Sequence, residues 1–274
     1  MSASVVSMPA FAPLFVPGEE TVAVRWMTLT YPIDPELCRR ALVRPLEPQD
    51  DPVAAVWIAE FADATFRADG SVPERRPAYR QAGVSLACRH DDESGAYALE
   101  TFVGGLNYGI LGRELFGLPK KQVRAVTLDE QDDGLRYAIT DAVGVELLAG
   151  EASGLRPSED ADASPMPPWF AAHLTAKLIP SAEGTGYDVA KLVRIPWSFA
   201  PEGSVTHGRG TYRWAPSGSD PVHLLSPRGD AALAYGRGTL SIGFGRYVAD
   251  LGEIEPMGRQ QWASGSGSDE RGER

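Results

Sequence analysis

The clearest alternation of apolar and polar positions runs from Thr21 to Tyr31, with Val22, Val24 and Trp26 on one face and Arg25, Met27, Leu29 and Tyr31 on the other. A period of two predicts a strand. Both faces are largely apolar, so the pattern leaves open which of them is inside. Asp34-Pro35-Glu36 predicts a helix start, with a capping carboxylate, a proline in the first turn and an acid near the positive end of the dipole. Pro45 bounds that helix. Apolar runs between turn residues predict strands at Val53 to Phe61, Tyr79 to His90, Ala96 to Val103, Gln122 to Leu128 and Leu135 to Thr140. More are expected near 170–179, 187–197, 204–214 and 238–251. Phe61 to Pro77 reads as a long charged connection, 156–168 as a Pro/Ser/Asp-rich loop, and Asn107 to Gly117 as glycine-punctuated chain with room for one short helix.

Many short strands with few short helices predict a mostly-β, barrel-like fold. The expected organisation is a Pro- and Ala-rich segment at 1–20 that wraps the surface, a single domain over 21–255 and a disordered Ser/Gly-rich and charged tail at 263–274. At 274 residues the chain is long enough to bury a full core. Its 37 acidic and 26 basic residues leave a net charge of −11, which repels nucleic acid and anionic membranes and argues against both as partners. No apolar run approaches the roughly 18 residues a spanning helix needs. The start lacks the basic stretch of a secretory signal. Cys38 and Cys88 give no disulfide framework, so reduced thiols and a cytoplasmic location are expected.

Against this background the lysines stand out. The chain holds four, at positions 120, 121, 177 and 191, and writes its remaining positive charge as arginine. Arginine keeps its proton in proteins, whereas lysine can lose it, and only a neutral amine attacks a carbonyl. Lys120 and Lys121 follow the apolar Leu115, Phe116 and Leu118, and Pro119 pushes Leu118 toward extended geometry. On an extended segment the two lysines point to opposite faces, so one can enter an apolar pocket while its neighbour meets solvent. A solvated turn is the competing reading. An ordinary lysine, with a pKa of about 10.4, is a free amine in roughly one molecule in 2,500 at pH 7; desolvation raises that fraction.

Gly112-Arg113-Glu114-Leu115 followed by Gly117-Leu118-Pro119-Lys120-Lys121 resembles the active-site segment of the acetoacetate decarboxylase superfamily. Arg25 in Val24-Arg25-Trp26, Leu37 to Glu47, and Lys177-Leu178-Ile179-Pro180 resemble further family segments in the same chain order. The resemblance implies a closed antiparallel β-barrel or cone with an internal pocket, Lys120 as a Schiff-base lysine, Lys121 as the neighbour that modulates its pKa, and Arg25 as a pocket arginine. It also implies no cofactor and a homo-oligomer of four or more subunits. Activation of such a lysine by an apolar pocket or a second cation is a known device of this family.

One position departs from the pattern. Where the family places a catalytic glutamate after a tyrosine, Tyr79-Arg80-Gln81-Ala82-Gly83 carries Gln81. A glutamine binds a substrate but does not shuttle protons near neutrality. The resemblance therefore points to a small oxo-acid substrate, with aldol condensation and dehydration or cyclisation ahead of decarboxylation of a 3-oxo acid; a barrel that only binds or shapes an intermediate is the rival. Tyr79 and Phe116 are expected to line the substrate, and Arg113 and Glu114 to act structurally, Glu114 in an ion pair with Arg113 or another arginine. Glu100, among Leu99, Phe102 and Val103, is the candidate for the proton relay that Gln81 cannot supply. Cys88 and His90 share a face, but no further ligand completes a metal site.

Overall fold

A computed structural model describes residues 18–67, 74–105, 111–160, 162–217, 219–225 and 231–252. Most of the expected wrapping segment (1–17) and all of the expected tail (263–274) lie outside these residues.

The chain order is β1 (Glu19–Pro32), helix α1 (Pro35–Ala41), β2 (Glu47–Pro48), β3 (Val53–Arg67), β4 (Glu74–Arg75), β5 (Tyr79–His90), β6 (Glu93–Gly104), helix α2 (Leu111–Phe116) and β7 (Lys120–Val123). It continues through β8 (Ala125–Gln131), β9 (Gly134–Thr140), β10 (Glu146–Pro157), β11 (Ala172–Pro180), β12 (Tyr187–Trp214), β13 (Ala231–Ile242) and β14 (Arg246–Asp250). Among the described residues, all fourteen strands join one sheet.

Seven of the strands close on themselves. β11 pairs with β6, then β5, β3, β1, β13 and β12 follow, and β12 returns to β11. The ring-like, mostly-β architecture is the expected one, with a correction in strand direction. β11 runs parallel to β6 through His173↔Ala96, and β7 runs parallel to β6 through Thr101↔Lys120, so the sheet is mixed rather than antiparallel throughout. The expected strands 187–197 and 204–214 are one 28-residue strand, β12. It is not broken at Pro201 and Glu202; a register shift between Glu202 and Thr206, with Gly203 at φ 77°, absorbs the irregularity. β10 was not foreseen as a strand.

The sheet buries both of its faces, which explains why the alternation in β1 could not say which side is inside. Met27, Leu29 and Tyr31 join a cluster with Val56, Val84, Phe102, Leu128 and Tyr137, completed by the β8–β10 strands and α1. Val22, Val24 and Trp26 join a second cluster with Trp57, Phe61, Phe170, Ile195, Trp197 and Leu240. Its members come from β1, β3, β6, β12 and β13, strands spread around the ring, so this cluster is the ring's interior. Trp26 stacks on Trp57 with ring centroids 4.8 Å apart, and Trp197 and Phe170 meet Trp26 edge-on. Each such fully buried aromatic contributes on the order of 2–3 kcal/mol of apolar transfer energy.

Helix α1 starts where its cap predicts: the Asp34 carboxylate accepts from the backbone N–H groups of Glu36 and Leu37 at 2.9 and 3.0 Å. Cys38 and Cys88 are free and buried. Among the described residues no helix is long and apolar enough to cross a membrane.

Candidate active site

Strand register gathers the site. Pro119 leads into β7, and the Pro119 carbonyl accepts the first parallel bond, from Thr101 N–H at 3.1 Å. Lys120 then lies opposite Thr101, which pairs with Gly83, which pairs with Trp57. These positions share one face of four neighbouring strands, as do Gln81 and Tyr79 on β5 and Phe61 on β3. On β1 the same face carries Glu20, Val22, Val24 and Trp26. Helix α2 roofs the group with Leu111, Gly112 and Phe116. It ends at Gly117, whose φ of 77° suits glycine and whose Cα packs so closely on β11 that a Cβ would lie 2.3 Å from Lys177 Cα.

The result is a cavity of about 40 Å³ with Lys120 in its wall. Trp57, Phe61, Phe116, Leu118 and Trp197 make it apolar; Glu20, Arg76, Tyr79, Gln81 and Thr101 are its polar groups. Lys120 is 8% exposed. Burial pulls its pKa from 10.5 down to about 8; the negative charge of Glu20 opposes the shift, and the positive charge of Arg76 assists it. Gly112 is in close contact with the amine, since a Cβ there would stand 3.0 Å from both Cε and Nζ of Lys120. Arg113 on α2 donates to the Lys120 carbonyl at 3.1 Å, tying the helix to the lysine's own backbone.

Glu20 carries a second shifted group. Part of the residue meets solvent, but its carboxyl is surrounded by protein, and burial raises its pKa against the opposing effects of Lys120, the Tyr79 hydrogen bond and Arg76. Tyr79 donates to Glu20 Oε1 at 3.1 Å. His173 is fully buried near the lysine and stacks face to face on Trp197, centroids 4.0 Å apart. Burial, with the charge of Lys120, lowers its pKa to about 3, so the imidazole stays neutral.

The structure thus brings Lys120, Gln81, Tyr79 and Phe116 to one cavity and corrects several other expectations. Arg25 lies on the opposite face of β1, where strand alternation sends every odd position. There it pairs with Glu60 at 2.5 Å and Glu130 at 3.3 Å and donates to the Leu128 carbonyl at 2.6 Å. Arg76 is the arginine at the lysine. Glu100 precedes Thr101 and therefore faces away from Lys120, into a separate apolar cavity of about 240 Å³ lined also by Leu37, Leu99 and Val222. There it pairs with Lys121 at 2.5 Å, and Lys121 also holds Asp220 at 2.7 Å. Burial raises the Glu100 pKa to about 8, with the Lys121 charge opposing.

Lys121 is solvent-facing, as extended geometry requires, but it is not the cation that perturbs Lys120. Burial lowers its own pKa, yet Glu100 and Asp220 together outweigh that and leave it raised. Arg113 anchors the strand rather than pairing with Glu114, which is exposed on α2. Of the residues that sequence reasoning missed, Glu20 had a signal, since it lies in step with Val22, Val24 and Trp26. Arg76 had none: it sits in a charged stretch and reaches the site because its N–H bonds the Ala64 carbonyl across β3 at 2.9 Å.

The sequence model described as acetoacetate decarboxylase (ADC) matches residues 7–251. The chain belongs to the acetoacetate decarboxylase family. An acetoacetate decarboxylase of Streptomyces nogalater is 28% identical over 127 residues, 46% of this chain and 48% of that protein. One from Chromobacterium violaceum is 30% identical over 116 residues, 42% and 43% of the two. The matched stretch therefore spans about half the length of these curated relatives or less. Among solved structures, the family member from Legionella pneumophila superposes with a TM-score of 0.73 at 20% identity, covering 89% of this chain and 93% of that one. The enduracididine biosynthesis enzyme MppR, in complex with pyruvate, superposes at 0.71 with 17% identity, covering 91% and 99%. At such identities these superpositions establish the family fold.

Proposed function

We propose that this protein is a cofactor-free enzyme that condenses the Lys120 amine with the carbonyl of a small oxo acid. The observation that carries the reading is the buried amine in a small apolar cavity beside a second cation. With a pKa of about 8, roughly one Lys120 in ten is a free amine at pH 7, on the order of 200-fold more than for an ordinary lysine. The amine adds to the carbonyl carbon, the carbinolamine loses water, and the resulting iminium draws electrons from the adjacent carbon. Arg76 is the group suited to pair with the substrate carboxylate, bidentately where geometry allows. The cavity size favours a small substrate.

A 2-oxo acid entering aldol condensation and dehydration or cyclisation is the favoured substrate class, supported by Gln81 in place of the family's glutamate and by the pyruvate complex of MppR. Decarboxylation of a 3-oxo acid is the second reading, favoured by the names of the curated relatives. The expected assembly is a homo-oligomer.

The test is borohydride reduction with pyruvate and, separately, with acetoacetate, followed by peptide mapping. A reduced adduct on Lys120 supports the enzyme; no adduct with either acid favours a binding protein. Release of acetone from acetoacetate at a rate abolished by Lys120→Ala would select decarboxylation.

A further inference from the structure

Gln81 cannot shuttle a proton for the imine chemistry, yet the cavity holds a carboxyl group that can. Glu20 enters from the first residues of β1, two positions ahead of Val22 on the interior face. It accepts from the Tyr79 hydroxyl at 3.1 Å, and the Gln81 side chain interacts with the same hydroxyl. The carboxyl therefore sits one hydroxyl away from the position that Gln81 occupies, and in the same cavity as the amine.

We propose that Glu20 is the catalytic acid–base of this site, replacing from β1 the carboxyl that β5 lacks. The inference rests on the imine reading above. The steps balance through one proton. Glu20, as the acid, protonates the hydroxyl of the carbinolamine; the carbon–oxygen bond breaks, water leaves, and the iminium forms beside a Glu20 carboxylate. That carboxylate then takes a proton from the carbon next to the iminium. The released electron pair forms the carbon–carbon double bond of the enamine, and the iminium electrons return to the lysine nitrogen. Returning the proton to carbon reverses this step. Burial moves the two resting groups toward each other, the amine becoming a weaker base and the carboxyl a weaker acid, which lowers the cost of passing a proton between them.

Wild type and Glu20→Gln, both full chain, are incubated with pyruvate in deuterium oxide. Borohydride trapping on Lys120 reports imine formation, and loss of the methyl proton signal reports exchange at carbon. Expected for Glu20→Gln is a trapped adduct whose pH midpoint moves below that of the wild type, because the carboxylate's support for the ammonium is gone. Exchange falls at least about 100-fold and is restored in part by Glu20→Gln/Gln81→Glu. Exchange in Glu20→Gln within a few-fold of wild type overturns the proposal, as does a wild type that traps pyruvate without exchanging it. A wild type that traps neither pyruvate nor acetoacetate refutes the imine reading instead, and this inference with it. Should Glu20→Gln not fold, Glu20→Asp decides: trapping retained with exchange reduced tenfold or more supports the role, and unchanged exchange overturns it.

Discussion

Gly112 gives a sharp handle on whether the amine sits where the structure puts it. A Cβ at this position would stand 2.8 Å from Leu118 Cδ1 and 3.0 Å from both Cε and Nζ of Lys120. Carbon atoms pack at about 3.5–4.0 Å, so in Gly112→Ala the leucine must retreat by roughly 1 Å and the lysine tip by about half that. Overpacking of this kind costs about 1–3 kcal/mol, and replacing glycine inside a helix returns up to about 1 kcal/mol. The net loss is about 0–3 kcal/mol, a fall in Tm of no more than about 12 °C for a domain of this size. The chemistry suffers too. The added methyl occupies space beside the nitrogen that the carbinolamine must fill, and where a 1 Å misplacement costs on the order of 100-fold in rate, the half-ångström shift of the tip costs on the order of tenfold.

The assay is the initial rate of borohydride-trapped pyruvate adduct on Lys120, measured beside calorimetric melting. Gly112→Ala/Leu118→Val removes Cδ1, the closest of the three contacts, and should recover the melting temperature without recovering trapping. Wild-type trapping in Gly112→Ala would refute the placement of the amine against α2.

Lys120→Met removes a buried charge. With the folded pKa at about 8 against 10.5 unfolded, the unfolded chain binds more protons between those values. The native lysine therefore costs on the order of 3 kcal/mol below pH 8, a cost that fades as pH rises toward 10.5. Denaturant titration should find the variant more stable than wild type at pH 7 and equal to it near pH 11; greater stability of the wild type at pH 7 would contradict the burial. Arg76→Met should weaken trapping of pyruvate at least tenfold while leaving trapping of acetone, which has no carboxylate, within a few-fold, and equal losses for both would remove its substrate role. Arg25→Met should cost about 1–2 kcal/mol through its half-buried pairs with Glu60 and Glu130 and leave the trapping pH profile unmoved. A shifted profile would place Arg25 back at the site.

Local chemistry is what the sequence made legible. The Asp34 cap, the alternation of β1 and the opposite fates of Lys120 and Lys121 follow from backbone geometry within a few residues, and all three are present. What stayed hidden depends on chain segments far apart. Arg25 and Glu20 both lie on β1, and only the closure of the ring decides that even positions face the lysine. Glu100 looked suitable because its neighbours are apolar, but they are apolar on both sides of a doubly buried sheet, and a single residue of parity separates it from Thr101. Arg76 is delivered by an edge pairing that no pattern encodes. The resemblance to the family singled out Lys120, which the structure buries in the cavity wall, and Arg25, which lies on the opposite face of β1.

The most direct test of the central claim is the titration of Lys120 itself. With four lysines in the chain, NMR of protein labelled at lysine Cε gives four resonances, and loss of one in Lys120→Arg assigns it. That resonance should titrate with a midpoint near pH 8. A midpoint near 10.5 would contradict the claim.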